Sequence, residues 1–413
     1  MKATVLMKHS LTLAATAALI LSACGGNPAE PSLTRADSGG GRLVVGMSPV
    51  QDGARMAASR DAAGALHADG TVYAWGSNQY GQLGRVGIAS SAAPVMVAGL
   101  SSIKEVRAGG YHMAAIRQDG TVWTWGNNSY GQLGVRGLSA VVATARMVPG
   151  LSDVKSVAAG YAHTVALNGG GLVWAWGVYP GRNTSSPLRI SGLPGAIRSV
   201  AAGFDFNLAV GGDGAVYSWG GNQYGQLGNG GRSSAYYPVR VYGLDKVVAV
   251  SAGFAHTLAL RDDGSVWTWG SNADGQLGAP SGDAIVARPV SGLPTPLGGL
   301  AAVKAVVAGA RNSAVVYADG SVWIWGNNAN GQLGDGGLQS SSVPQRLNTL
   351  PGVAAISIGE GFVSILKSDG TVYGIGANNY GKLGNNTTVP SRLPVQVVGL
   401  SGVGYLSLGA GAR

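Results

Sequence analysis

From about residue 55 onward, apolar and polar residues alternate in runs of five or six that end in glycine-bearing turns. Residues 103–134 show the pattern. Ile103–Arg107 alternates, Ala108-Gly109-Gly110-Tyr111-His112 interrupts, and Met113–Arg117 resumes. Asp119-Gly120 then reads as the positive-φ pair of a tight hairpin. Thr121–Trp125 alternates again, with Trp123 and Trp125 on one face and Val122 on the other. Gly126 to Gly134 reads as a compact loop. A fourth strand follows a variable stretch, near Met147 here and at Pro94–Val97 one unit earlier. Period-two alternation between turn signals predicts strands.

The unit recurs. Asp-Gly-Thr/Ser-Val-Trp-x-Trp-Gly-x-Asn-x-x-Gly-Gln-Leu-Gly places its second aromatic at Trp75, Trp125, Trp176, Trp219, Trp269 and Trp325, with Ile375 in the last copy. The spacings are 50, 51, 43, 50, 56 and 50. A fixed period overrides the two or three domains that length alone suggests. Residues 42–413 are therefore expected to form one domain. Four-stranded units of this period, closed radially, are propeller blades. The expected fold is all-β: a seven-bladed β-propeller of four-stranded antiparallel blades. An open solenoid is the competing arrangement. Leu400–Gly409 repeats the spacing of Leu100–Gly109, so a C-terminal strand is expected to complete the first blade and close the ring. All ten Trp fall in the two aromatic slots of the hairpin, and their expected role is packing between blades.

Composition narrows the picture. There are 70 Gly in 413 residues, with 11% charged and 46% hydrophobic positions. The apolar content argues against disorder. Gly does not fall at every third position, which excludes collagen, and Gly disfavours helical bundles. The single cysteine, Cys24, excludes an intrachain disulfide.

That cysteine marks an address. Lys2, Lys8 and His9 precede an apolar run from Leu11 to Ser22, too short to span a bilayer. Residues 1–23 fit a secretory signal peptide. Leu21-Ser22-Ala23-Cys24 resembles the lipobox of bacterial lipoproteins, which implies cleavage before Cys24 and lipidation of its thiol. Several acyl chains would anchor the protein to the membrane stably. Residues 24–41 read as a flexible tether. The expected location is the bacterial cell envelope, periplasm-facing or at the cell surface. Removing Lys2 and Lys8 lowers the formal charge from +9 to +7, with no Lys/Arg run. That is a weak sign for nucleic acid. A monomer binding a protein partner, with no cofactor or metal, is expected.

Ala-Gly-x-x-His, Asp-Gly-x-Val-Trp-x-Trp-Gly-x-Asn and Gly-Gln-Leu-Gly together resemble the regulator of chromosome condensation repeat family. The resemblance implies a seven-bladed propeller with blades of about fifty residues, and several divergent activities. The founding member resembles a guanine-nucleotide exchange factor for the nuclear GTPase Ran. Another member is a plant ultraviolet-B photoreceptor, and bacterial secreted relatives include β-lactamase-inhibitor propellers. The slot in which the photoreceptor carries Trp holds Tyr111, Tyr161, Phe204, Phe254, Ala310 and Glu360 here, which argues against light sensing. Exchange on a nuclear GTPase conflicts with export. Exchange-factor activity and a glycan-active or hydrolytic propeller stand as alternatives to a binding scaffold.

In a four-strand meander the first and third connections emerge on one face. That face carries the variable loops, where recognition usually sits. Tyr111, Tyr161, Phe204 and Phe254 are expected to form an aromatic arc around the channel mouth. Tyr179, Arg182, Arg232, Tyr236 and Tyr237 lie outside it on the variable loops; Tyr and Arg are enriched in binding hot spots. The third unit lacks Gly-Gln-Leu-Gly, which predicts a notch beside Tyr179 and Arg182.

Candidate chemistry is sparse. His112, His163 and His256 share a slot that also accepts Phe206, Asn312 and Phe362. A structural hydrogen bond is therefore expected, not a metal, whose ligands must converge. Six Asp (69, 119, 213, 263, 319 and 369) sit in hairpin turns, and the only Glu are 30, 105 and 360. Asp61, Asp205 and Glu360 could face the mouth, but no acid–base pair is visible. Gly376–Leu383 fits a phosphate-binding loop except for its final hydroxyl, and reads as repeat sequence with Lys382 in the Gln slot. The Gln elsewhere is expected to hold loop amides while the Leu plugs the core.

Overall fold

The structure is a computed structural model that describes residues 55–280, 282–294, 303–400 and 402–403. It contains seven antiparallel four-stranded sheets, each in the order of its strands along the chain. Blade two comprises Ile103–Ala108, His112–Arg117, Val122–Asn127 and Val141–Met147. Apart from a short 3-10 turn at Asn379–Gly381, the described elements are strands. The expected all-β, seven-bladed propeller is what the chain forms.

Each gap between blades holds one apolar cluster. Between blades one and two, Leu66, Val72, Leu83, Val106 and Met113 pack on Trp125. The remaining gaps repeat this around Trp176, Trp219, Trp269, Trp325 and Ile375. The last gap joins Phe362, Leu366 and Leu383 of blade seven to Met56, Ala63 and Trp75 of blade one. The ring is therefore closed and the solenoid is excluded. The six second-slot indoles are fully buried. Trp125 and Trp176 donate to the Gln82 and Gln132 carbonyls at 2.9 Å, Trp269 and Trp325 to Gln226 and Gln276 at 2.9 Å, and Trp75 to Lys382 at 3.0 Å. Each bond crosses from one blade to the Gln (or Lys) of the preceding loop. Trp219 breaks the rule: its buried Nε1 has no partner among the described residues. The preceding blade is the third, which lacks the Gln whose carbonyl would accept it.

Three expectations need revision. The inner place of blade one is held by Met56–Ala58, paired antiparallel with Ala62–Leu66; the expected C-terminal strand, Leu400–Gly409, lies largely outside the described residues. Asp119 does not share a positive φ with Gly120. Its carboxylate instead accepts the Thr121 N–H at 2.9 Å and hydroxyl at 2.6 Å, an Asx turn that needs only Gly120 in the left-handed region. Tyr111 also sits one place later in its turn than Tyr161 does, because His112 and His163 hold equivalent registers.

Candidate functional site

The turns between first and second strands ring the channel mouth, linked by backbone hydrogen bonds. Gly110 N–H reaches Gly160 at 3.1 Å, Phe204 reaches Phe254 at 3.2 Å, Phe254 reaches Ala310 at 3.2 Å and Glu360 reaches Ser59 at 3.3 Å. The third-connection loops lie on the same face: Tyr80, from such a loop, packs on Tyr111 with ring centroids 4.7 Å apart.

The aromatic arc is continuous. Tyr111 meets Tyr161 at 5.7 Å, Tyr161 meets Phe204 at 4.4 Å, and Phe204 meets Phe254 at 4.2 Å. Gly110 makes room for it, since a Cβ there would lie 2.7 Å from the Tyr161 ring. Tyr111, Tyr161 and Phe204 are half-buried, and Phe254 is 40% exposed. Burial pushes the Tyr111 phenol well above its ordinary range, so it stays a neutral hydroxyl. The other side of the mouth is charged. Arg60 pairs with Glu360 at 3.2 Å and lies 5.6 Å from the Tyr111 ring centroid, and Arg311 approaches Asp274 at 3.4 Å.

Outside the arc, the third blade turns back tightly from Val173–Tyr179 into Arg182–Arg189. The notch is filled: the Tyr236 ring lies where a Gly181 Cβ would be, 2.1 Å from its Cδ1. Arg182 stacks over Tyr237, 5.7 Å from its centroid, and Tyr237 is 59% exposed. Arg232 pairs instead with Asp283 at 3.1 Å. Tyr179 is 2% exposed, against the expectation of a loop contact: its ring packs 5.5 Å from His163 and burial pushes its phenol up to about 12. Cys24 lies outside the described residues. Tyr80 was not singled out in the sequence, because its slot repeats as Tyr130, Tyr224 and Tyr380, which are exposed.

The remaining candidates are structural. His112 and His163 bond to Thr164 and Asn207 of the next blade at 2.9 and 2.8 Å, and His256 bonds to Ser313 at 2.9 Å. Burial lowers their pKa values to about 3, 4 and 4 respectively, so all three stay neutral. Gln82 and Gln132 accept the Tyr80 and Tyr130 N–H at 2.8 and 2.9 Å, while Leu83 and Leu133 are fully buried, as expected. Lys382 donates to the Arg60 and Glu360 carbonyls at 3.2 and 3.1 Å and sits 5.0 Å from the Phe362 centroid, with Asp61 at 3.5 Å. That ammonium is engaged by the seam between blades seven and one. Asp205 is held above its ordinary range by burial and receives a 3.4 Å bond from Gln226. Among the described residues no three His, Cys, Asp or Glu gather to hold a metal.

A closed ring of seven four-stranded blades, each built on the same glycine-rich hairpin repeat, defines a propeller of the regulator-of-chromosome-condensation type. The RCC1-like domain model matches residues 180–413, and the Regulator of chromosome condensation (RCC1) repeat model matches 69–116 and 119–167. The chain belongs to this family. Its fold is similar to yeast RCC1 (Prp20) bound to Kap60, at 19% identity, with 89% of this chain and 91% of that one covered and a TM-score of 0.73. Prp20p from Saccharomyces cerevisiae gives 20% identity, 82% and 86% coverage and 0.71; human WBSCR16 gives 24%, 79% and 94%, and 0.69. No protein of curated function matches the sequence significantly.

Proposed function

We propose that this protein is a non-catalytic binding scaffold of the bacterial cell envelope, anchored through Cys24, which grips a protein partner with its variable face and can inhibit an enzyme by occlusion. The observation that carries the reading is the unbroken arc from Tyr80 to Phe254. Stacked aromatics offer large contact area at low conformational cost, and they sit on a mouth braced by backbone bonds. The two similar yeast propellers support protein binding as a use of the fold: one is seen bound to Kap60, and the other is described with binding properties to Gsp1p and histones. The carboxylates favour binding over catalysis, since Asp61 and Glu360 face cations and Asp69, Asp119 and Asp369 are consumed by turns.

Capture from envelope extract tests the reading. The wild-type domain should retain a partner saturably, and the Tyr161→Ala/Phe204→Ala/Phe254→Ala variant, folded by circular dichroism, should lose it. Equal recovery by both would remove the mouth from the site. Palmitate labelling that persists in Cys24→Ala would refute the anchor.

A further inference from the structure

Among the described residues, every blade ends in an outer strand with no fifth strand beside it. Such edges template pairing with other chains unless they are blunted. Along an antiparallel strand, main-chain groups point alternately toward the neighbour and away from it. In blade two the bond from Val148 N–H to the Val122 carbonyl sets the phase. Arg146 then bonds inward opposite Thr124, and the main chain of Ala145 and Met147 faces outward.

The register places Pro94, Pro187, Pro238, Pro344 and Pro394 at the Ala145 position in blades one, three, four, six and seven. Proline deletes the outward N–H that an added strand would use. Blade five has Ala287 there, but Pro289 occupies the next outward position and Gly230 takes the Ile285 carbonyl at 3.0 Å. A second device accompanies the prolines. Ser91, Thr184, Ser341 and Ser391 donate their hydroxyls to the carbonyls two residues on, at 2.6, 2.9, 2.7 and 2.7 Å. Blade two has Val142 in that slot. Its outer strand, Val141–Met147, is the only one of the seven without a proline. Val141 and Met147 are 46% and 50% exposed.

Charge selects the occupant. Arg85, Arg136, Arg146 and Arg189 are exposed on the third-connection loops and outer strands of blades one to three, and those segments contain no Asp or Glu. Between Gly70 and Leu151 the acids are Glu105, buried and paired with Arg107 at 2.9 Å, and Asp119, in a hairpin turn. A second copy would bring the same cations against these.

We infer that the outer strand of blade two accepts a fifth strand from a partner protein: an extended, acidic segment that bonds to the main chain of Ala145 and Met147 beneath the arginines of the rim. This surface lies on the outer edge of the ring, apart from the mouth. Its test shares no residue with the mouth variant, so either reading can fail alone.

The probe is a fluorescein-labelled heptapeptide of alternating Val and Glu, read by fluorescence anisotropy at low salt against the full chain. A matched peptide with Lys for Glu, and one with a central Pro, serve as controls. The wild type should bind the Glu peptide at least tenfold more tightly than either control. Ala145→Pro, the residue five sibling blades carry, should weaken that binding at least tenfold with the melting temperature held. Arg146→Glu, which leaves the backbone untouched, should narrow the preference for Glu over Lys. Equal binding by wild type and a folded Ala145→Pro would overturn the proposal, as would no binding or no charge preference. Dimerisation of the wild type abolished by Ala145→Pro would overturn the occupant, making it a second copy.

Discussion

Trp176 and Trp219 occupy the same slot in adjacent blades, and both are fully buried. Trp176 Nε1 donates to the Gln132 carbonyl at 2.9 Å, whereas Trp219 Nε1 has no partner among the described residues. Replacing each by Phe removes similar apolar volume, so the transfer and cavity contributions largely cancel in the comparison. The polar contribution does not cancel. Trp176→Phe forfeits a hydrogen bond, which contributes about 1 kcal/mol net. Trp219→Phe removes a buried donor that has no protein partner among the described residues, relieving a desolvation penalty of about 1–3 kcal/mol. The two substitutions should therefore differ by about 2–4 kcal/mol, with Trp176→Phe the more destabilising. Urea titration of both variants, followed by far-ultraviolet circular dichroism, reads the difference as a shift in midpoint at unchanged slope. Costs equal within about 0.5 kcal/mol would refute the claim that the missing third loop orphans the indole.

Trp325→Ala should cost roughly 3–5 kcal/mol, since it empties the core of the gap between blades five and six; a loss below about 1 kcal/mol in denaturant titration would contradict the packing role. The three slot histidines are neutral in the fold and titrate near 6.5 when unfolded. The unfolded chain then binds more protons below that pH, so stability should fall as pH drops from about 6.5 toward 4, by about 2 kcal/mol per histidine at pH 5. His163→Phe, copying Phe206 and Phe362, should flatten this acid limb, and an unchanged limb would count against neutral burial. Lys382→Met should cost about 3 kcal/mol by leaving two carbonyls without their donor and Asp61 with only the more distant Arg60, at 3.9 Å, measured as a lower thermal midpoint; no change would mean that the clasp is idle.

The fold was legible because its signal is local and repeated. Asp-Gly turns, alternating hairpins and paired indoles recur at a fixed period, and each blade packs only on its neighbours. The arc was legible for the same reason, since four aromatics share one turn. Tyr80 was not, because its slot is aromatic in several blades and the late placement of Tyr111 decides which ring turns inward. The burial of Tyr179 depends on where the shortened third hairpin reverses, which a missing loop motif does not specify. The outer-strand prolines are plain in the sequence, but strand register was needed to show that they remove outward donors and that blade two has none.

The account rests on closure, which gathers turns some 300 residues apart at one mouth. Arg60 and Glu360 face each other across the seam at 3.2 Å, and the Glu360 N–H bonds to the Ser59 carbonyl. An Arg60→Cys/Glu360→Cys pair, in a Cys24→Ala background, should form an intramolecular disulfide rapidly and quantitatively on mild oxidation, seen as a mobility shift reversed by reductant. Two thiols that stay free under those conditions in folded, monomeric protein would contradict the closed ring, and with it the mouth as a single binding surface.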